Sequence, residues 1–186
     1  RAALPFVGHV SGLRIGVDCA NGATTTVAPR LLRDLGLDVH VIGNDPDGRN
    51  INLGCGSTHL EALQRLVRER QLAMGVAFDG DGDRCLMVDE TGAVVDGDAI
   101  MLMLALHLKR TGGLVKDTVV ATVMSNLGLE RALQAHGIRL LRTSVGDKYV
   151  MEAIREHGYA LGGEQSGHVI VAEHLFTGDG IVTALR

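Results

Sequence analysis

Short apolar runs with strand character alternate along this chain with segments whose apolar residues recur at helical spacing. The strand-like runs are LRIGVDC, LDVHVIG, LAMGVAF, CLMVDE, TVVATVM and IRLLRTS. The helix-like segments are HLEALQRLVRERQ, DAIMLMLALHLKRTGG, GLERALQAHG, KYVMEAIREHG and GDGIVTALR, together with ANGATTTVAPRLLRDLG, which predicts a turn, a helix and a stop at Gly36. Strands that alternate with helices of about ten residues predict α/β layers.

This order of elements predicts two α/β domains, each a mixed sheet with helical layers. Residues 1–111 follow the pattern βαβαββα, and Gly112 and Gly113 predict a helix stop and a linker. Residues 112–186 repeat the rhythm and include YALGGEQSGHVIVAE, which predicts a strand, a glycine turn and a strand. The two halves share no repeat at the level of residues. Because the chain begins with Arg1 and ends at Arg186 within a helical pattern, we expect a fragment of a longer protein.

Composition then narrows the class of protein. The 186 residues are 46% hydrophobic and 22% charged, enough for a globular core. A net charge of −4 without any Lys/Arg block argues against a nucleic-acid partner, and no apolar run approaches the roughly 18 residues of a membrane span. With no secretory leader, we expect a cytoplasmic protein.

Three widely spaced cysteines predict neither a disulfide framework nor a zinc site, and buried, inert thiols are expected at Cys19, Cys55 and Cys85.

One stretch, VAFDGDGDRCLMVDETG, concentrates negative charge between two strands. Asp79, Asp81 and Asp83 are separated only by glycines, and carboxylates this close repel one another unless a cation lies among them. Glycine, which has no Cβ, lets the backbone turn all three side chains toward one point. Ligation by oxygen alone selects a hard ion, Mg²⁺ or Ca²⁺.

Three interpretations of this aspartate loop compete. A solvated acidic turn needs neither the regular spacing nor the arginine that follows, Arg84. An EF-hand loop counted from Asp79 would place Glu90 at the twelfth position, but its glycine position holds Arg84 and its flanks are strand-like. The third interpretation is a Mg²⁺ site for phosphoryl chemistry, in which Arg84 holds a phosphate oxygen.

A second candidate site is the glycine loop LGGEQSGHVI. Glu164, Ser166 and His168 stand at alternate positions and offer a carboxylate, a hydroxyl and an imidazole, which suit sugar hydroxyls or an amine. His168 is a candidate proton shuttle or a hydrogen-bonding surface group, and a plain polar hairpin is the alternative for the loop. Lys148, at the start of a helix, is a candidate phosphate contact, whereas the helix entry CANGATTT is better explained as a turn and cap.

These motifs resemble those of a known family. FDGDGDR resembles the metal loop of the α-D-phosphohexomutase superfamily, and GGEQSGH resembles its sugar-binding loop. Similar stretches cover nearly all the chain: DCANGA, PDGRNINLGCGSTH, VDGDAIM, TVMSNLGLE, LLRTSVGDKYV and TGDGIVTAL. Glutamine at position 165 resembles one branch of the family, whereas sibling branches more often have methionine or glutamate there. That branch interconverts glucosamine 6-phosphate and glucosamine 1-phosphate through a bisphosphate, on the bacterial route to UDP-N-acetylglucosamine.

The resemblance implies roles for individual residues. Asp79, Asp81 and Asp83 would be the Mg²⁺ ligands, and Arg84 would lie beside the transferred phosphate. A phosphorylated amino sugar would be bound by Glu164 and Ser166, with His168 near them. At position 148 the family more often has arginine, whose guanidinium can bind a phosphate through two N–H groups. Lys148 cannot make that bidentate contact.

The resemblance also implies missing parts. Family members have four domains; the first carries a phosphorylated serine in a TASHN-like motif and the fourth a phosphate-binding loop like RxSGTEPxxR. Neither motif is in these residues, so the chain resembles domains two and three. We therefore expect weak or no Mg²⁺ binding and no activity from the chain alone. A mutase for mannose or glucose phosphates, and a non-catalytic Ca²⁺-binding α/β module, are the alternative functions.

Overall fold

A computed structural model describes residues 10–186 of the chain, which divide into two units. Unit 1 comprises the described residues up to Val95 together with Gly180–Arg186. Unit 2 comprises Asp96–Asp179. Each unit has its own sheet, so each is described by itself.

The sheet of unit 1 has five strands in the order β2-β1-β3-β4-β5. These are β1 (Arg14–Asp18), β2 (Asp38–Ile42), β3 (Met74–Phe78), β4 (Cys85–Asp89) and β5 (Val94–Val95). β1 pairs in parallel with both β2 and β3, while β3 with β4, and β4 with β5, are antiparallel pairs. Because β1 and β3 are parallel, the loops that follow them lie at the same edge of the sheet.

Helices cover both faces of this sheet: α1 (Val27–Asp34), α2 (Glu61–Arg70) and α6 (Gly180–Ala184). One face buries Ile15, Val17, Val76 and Phe78 with residues of α1 and α6. On the other face Leu63 and Val67 of α2 pack with Leu72, Ala77 and Val88. This alternation along β3 is the two-residue period expected of a strand that is buried on both faces.

The sheet of unit 2 has four strands in the order β7-β6-β8-β9. These are β6 (Thr118–Thr122), β7 (Arg139–Thr143), β8 (Leu161–Gly163) and β9 (Val169–Val171). β6 is parallel to β7 and β8, and β8 is antiparallel to β9. This order reproduces that of the first four strands of unit 1, so the two units share a topology although their sequences show no repeat.

The α-helices of unit 2 are α3 (Gly97–Thr111), α4 (Leu127–Ala135) and α5 (Asp147–His157). Asp96 caps α3 by accepting the Ala99 N–H at 3.0 Å, and Asn126 caps α4 by accepting the Leu129 N–H at 2.9 Å. α5 packs its Val150 and Ile154 with Val120, Tyr159 and Ile170 in a buried cluster. α3 contacts β8 and α4.

The α/β fold predicted from the sequence, with two mixed sheets and helical layers, is confirmed. The division into units differs from the expected boundary at residue 112, because α3 packs within unit 2 and Gly180–Arg186 belong to unit 1. The sequence pattern also missed β5 and a short 3-10 helix at Gly56–Thr58. Both are too short to show a period.

All three cysteines are free and buried, as expected. Burial raises the pKa of the Cys19 thiol to about 11, and it raises the pKa values of Cys55 and Cys85 as well. Because the thiolate is the reactive form, buried thiols with raised pKa values are inert at neutral pH.

We expect none of these thiols to react with iodoacetamide at pH 8 at the rate of a free cysteine. For Cys19 the shift from 9.0 to about 11 lowers the thiolate fraction about a hundredfold, before its burial is considered. Mass spectrometry of the intact chain counts the labels. The control is the same chain unfolded in urea, which must take up three labels. Labelling of the native chain at the free-cysteine rate would contradict this prediction.

The described part of the chain contains no helix that is long and apolar enough to cross a membrane.

Candidate functional site

The loop after β1 is organised by a buried aspartate, Asp18. Its Oδ1 accepts the N–H of Ala20 at 2.9 Å, and its Oδ2 accepts the N–H of Gly56 at 2.8 Å. Burial raises the pKa of Asp18, and the two backbone N–H donors oppose that rise. One carboxylate therefore joins the end of β1 to the segment that contains Gly56, 38 residues farther along the chain.

The aspartate loop, residues 79–84, is held in place through Gly80. The Gly80 N–H donates to Asn52 Oδ1 at 2.8 Å, and the Gly80 carbonyl accepts the Ala23 N–H at 2.8 Å. Asn52 in turn donates its N–H to the Ala20 carbonyl at 2.9 Å. The backbone between Asp79 and Asp81 is thereby fixed by two other loops of unit 1.

Within the loop, Asp79 is buried and satisfied by its own neighbours. Its Oδ1 accepts the N–H groups of Gly82 at 3.0 Å and of Arg84 at 3.2 Å. Its Oδ2 lies 3.9 Å from Arg84 Nε. Gly82 has a φ of +79°, a left-handed conformation that suits glycine and turns the chain back toward β4.

The three aspartates do not converge in this arrangement. Asp79 is buried, whereas Asp81 is exposed. Across residues 10–186 no group of three or more His, Cys, Asp or Glu side chains is arranged to hold a metal ion. The expectation that the glycines turn all three carboxylates to one point is therefore not met in this structure. The strands β3 and β4 that flank the loop exclude an EF-hand, which needs helices there.

In unit 2 the glycine loop joins β8 to β9. Glu164 Oε1 accepts the Gly146 N–H at 3.1 Å, directly before α5. His168 is buried, with Nε2 3.9 Å from Asp147 Oδ2 in the first turn of α5, so the alternative of a surface histidine is wrong. A Cβ on Gly178 would collide with the His168 ring, which shows how tightly the ring is enclosed.

The remaining polar candidates of unit 2 face solvent. Ser166 is exposed at the tip of the turn. Lys148 is also exposed, on the first turn of α5, with Nζ 3.7 Å from Glu152 Oε1. Because α5 begins beside Glu164 and His168, the structure brings Lys148 to the same end of the unit as the glycine loop.

The first turn of α3 also contacts the glycine loop. Gln165 Nε2 donates to Asp96 Oδ2 at 3.2 Å, and the Gly97 N–H donates to the Gln165 carbonyl at 3.0 Å. Asp98, also buried, accepts the Asn126 N–H at 2.8 Å through Oδ2. Two loops of unit 2 are thus attached to one helix terminus.

Sequence reasoning missed the residues that hold these loops: Asp18, Asn52, Asp96 and Asp98. Each lies in a stretch that resembles the family, within DCANGA, PDGRNINLGCGSTH or VDGDAIM. The available signal was weak: Asp18 ends a strand, and Asp96 and Asp98 flank Gly97 at the start of a helix, positions that also mark ordinary turns. Asn52 lies in a loop and shows no such signal.

Two family models account for nearly the whole chain. The model for phosphoglucomutase/phosphomannomutase alpha/beta/alpha domain II matches residues 7–92. The model for alpha/beta/alpha domain III of the same family matches residues 96–186. The junction of these matches coincides with the change from unit 1 to unit 2 after Val95.

Curated relatives named phosphoglucosamine mutase are similar over the same span. The protein of Saccharopolyspora erythraea is 56% identical over 177 residues, 95% of this chain and 40% of the relative. That of Acetivibrio thermocellus is 56% identical over 179 residues, 96% of this chain and 40% of the relative. That of Kocuria rhizophila is 58% identical over 177 residues, 95% of this chain and 39% of the relative. The chain therefore spans about 40% of the length of these relatives.

Solved structures show the same fold. A phosphoglucomutase/phosphomannomutase family protein from Burkholderia thailandensis is 28% identical with a TM-score of 0.83, covering 97% of this chain and 40% of that one. Aspergillus fumigatus N-acetylphosphoglucosamine mutase, in complex with GlcNAc-6P and magnesium, is 23% identical with a TM-score of 0.72, covering 99% of this chain and 44% of that one. With both halves matched in order, this chain belongs to the phosphoglucomutase/phosphomannomutase family.

Proposed function

We propose that this chain is the central part of a phosphoglucosamine mutase, which interconverts glucosamine 6-phosphate and glucosamine 1-phosphate. The observation that carries the proposal is the 54–58% identity to proteins of that name over at least 95% of the chain. Gln165 in the glycine loop agrees with it. The other domains of the same polypeptide would supply the phosphoserine and the distal phosphate loop, so the chain alone is expected to be inactive.

The aspartate loop is the proposed metal site of this enzyme. Asp79, Asp81 and Asp83 offer only carboxylate oxygens, the donor chemistry that Mg²⁺ prefers. Bound there, Mg²⁺ would stabilise the negative charge of a phosphoryl group during its transfer. Because the three side chains do not converge in the structure, we expect binding by this chain alone to be weak. We expect Arg84 of the same loop, whose side chain is 43% exposed, to hold a phosphate oxygen.

The glycine loop is the proposed sugar site. Ser166 is exposed and available to a sugar hydroxyl. Glu164 already accepts one backbone N–H and has a second carboxylate oxygen for another donor, such as a hydroxyl or the amino group of the sugar. His168, enclosed behind them, would hold or move a proton, and Lys148 would attract the phosphate. A cytoplasmic location stays a prediction.

An assay of the full-length protein on glucosamine 6-phosphate tests this function, with Asp81→Asn as the variant. Asp81 is exposed and accepts no hydrogen bond that holds the fold, so its change should spare folding and lower kcat about a hundredfold. Asp34→Asn, on the exposed surface of α1, makes the same chemical change elsewhere and should leave kcat unchanged.

Two results would count against the proposal. A wild-type protein that is inactive on glucosamine 6-phosphate but fast on mannose or glucose phosphates would be a sibling mutase. A protein that binds Ca²⁺ tightly, in a calorimetric titration that Mg²⁺ cannot compete with, would be a calcium-binding module instead.

A further inference from the structure

The carboxylate of Asp96 serves two segments of unit 2 at once. Oδ1 accepts the Ala99 N–H at 3.0 Å and caps α3, while Oδ2 accepts from Gln165 Nε2 at 3.2 Å. A carboxylate can only accept hydrogen bonds, so the amide nitrogen of Gln165 must be the atom that faces it. The negative charge also lies at the N-terminus of α3, where the helix dipole favours it.

Backbone contacts reinforce this attachment. The Gly97 N–H donates to the Gln165 carbonyl at 3.0 Å, and the Gly167 N–H closes the turn on the Glu164 carbonyl at 3.0 Å. A Cβ on Gly97 would collide with the Glu164 carbonyl oxygen and approach the Gln165 carbonyl oxygen at 2.8 Å. The Glu164–Gly167 segment, here the glycine turn, therefore lies directly against the first turn of α3.

We propose that Asp96 is a positioning residue for the glycine turn, and that Gln165 acts by fixing that turn to α3 and not by contacting the sugar. The inference rests on the proposed function, because it concerns how Glu164 and Ser166 are presented to a sugar phosphate. Residue 165, at which the branches of the family differ, would then determine the conformation of the glycine turn. Methionine at this position has no donor, and glutamate would repel Asp96, so either would remove the contact.

Amide hydrogen exchange measured by NMR on the 186-residue chain tests the attachment without any substrate. Gln165→Met removes the donor, and Asp96→Ser keeps a helix-capping oxygen but is too short to reach Gln165. Each is expected to speed exchange of the Gly97 and Gly167 amides about tenfold, the size expected for a hydrogen bond to a charged group. The double variant should exchange no faster than the faster single one, because both remove one contact.

Matched controls separate this effect from general loosening. Gln134→Met makes the same change at an exposed glutamine of α4, and Asn126→Ser exchanges another helix cap for serine. Neither should alter the two glycine amides, and the buried Val120 amide of β6 should stay protected throughout. If Asp96→Ser unfolds unit 2, the exchange rates of Gln165→Met alone test the attachment, because that variant leaves the Asp96 cap of α3 intact. Unchanged Gly97 and Gly167 exchange in Gln165→Met would overturn the attachment.

Kinetics of the full-length protein test the consequence for the substrate. If Gln165 acts through the turn, Gln165→Met and Asp96→Ser lower kcat/KM for glucosamine 6-phosphate and glucose 6-phosphate alike, and their ratio stays within about twofold. A ratio that changes about tenfold in Gln165→Met but not in Asp96→Ser would show that Gln165 contacts the sugar, and would overturn the proposal. A wild type without mutase activity would instead refute the proposed function, while the exchange result would still stand.

Discussion

Replacing Phe78 by alanine is expected to lower the free energy of unfolding of unit 1 by about 3–5 kcal/mol. Phe78 is fully buried at the end of β3, immediately before Asp79, and belongs to the cluster that contains Val17. Its ring also meets the start of α6, where a Cβ on Gly180 would lie 2.9 Å from Phe78 Cδ1. Removal of the ring therefore leaves a cavity beneath the aspartate loop.

Hydrogen exchange at the amides of β1 and β3 in increasing urea gives this free energy separately from that of unit 2. Phe78→Leu keeps most of the volume and should cost less than about 1.5 kcal/mol. Phe176→Ala removes the same ring from a position in unit 2 that is 49% exposed, and should leave unit 1 unchanged. A loss below about 1 kcal/mol for Phe78→Ala would mean that the core here collapses around the gap.

Gly22→Ala is expected to cost unit 1 about 3 kcal/mol, although it adds a single methyl group. A Cβ at this position would collide with the Gly80 carbonyl oxygen and lie 2.6 Å from Gly80 Cα. Both contacts are with backbone that Asn52 and Ala23 already hold, so no side chain can move aside. The loop after β1 and the aspartate loop must separate to admit the methyl group.

The matched control is Gly48→Ala. Gly48 has a φ of +81°, and a Cβ there would have nothing within 4 Å, so only backbone strain of about 1 kcal/mol is expected. Urea unfolding of both variants, followed at the same β1 and β3 amides, gives the comparison. Equal losses for the two variants would show that the close approach of Gly22 to Gly80 is not tight.

Most elements of the fold follow from the sequence pattern, because the strands are short continuous apolar runs and the helices repeat apolar residues at helical spacing. The β3 segment MGVAF is a continuous apolar run and is buried at its last four positions. The α2 segment EALQRLVRER buries Leu63 and Val67, four residues apart, as a helix does. The unit boundary was harder to predict. α3 is a strongly apolar helix that continues from β5 without a linker, and only its contacts with β8 and α4 reveal the unit to which it belongs.

The candidate site residues could be predicted from the sequence, but the residues that hold their loops in place could not. Asp79, Asp81, Asp83 and the glycine loop were found because their polar groups repeat at short intervals. Asp18 reaches Gly56 and Gln165 reaches Asp96, which are 38 and 69 residues apart along the chain. Such pairs form only when the sheets bring distant loops together, so spacing in the sequence carries no trace of them.

The position of α6 along the chain has a consequence for the order in which the two units gain their contacts during synthesis. Ile181, Ala184 and Leu185 pack against the core of unit 1, and the Gly180 N–H donates to the Gly82 carbonyl at 2.9 Å. All of Asp96–Asp179 lies between these residues and the rest of unit 1 in the chain. During synthesis, all of Asp96–Asp179 therefore leaves the ribosome before unit 1 receives the contacts of α6. The aspartate loop therefore receives its hydrogen bond from the Gly180 N–H only after all of Asp96–Asp179 has been synthesised.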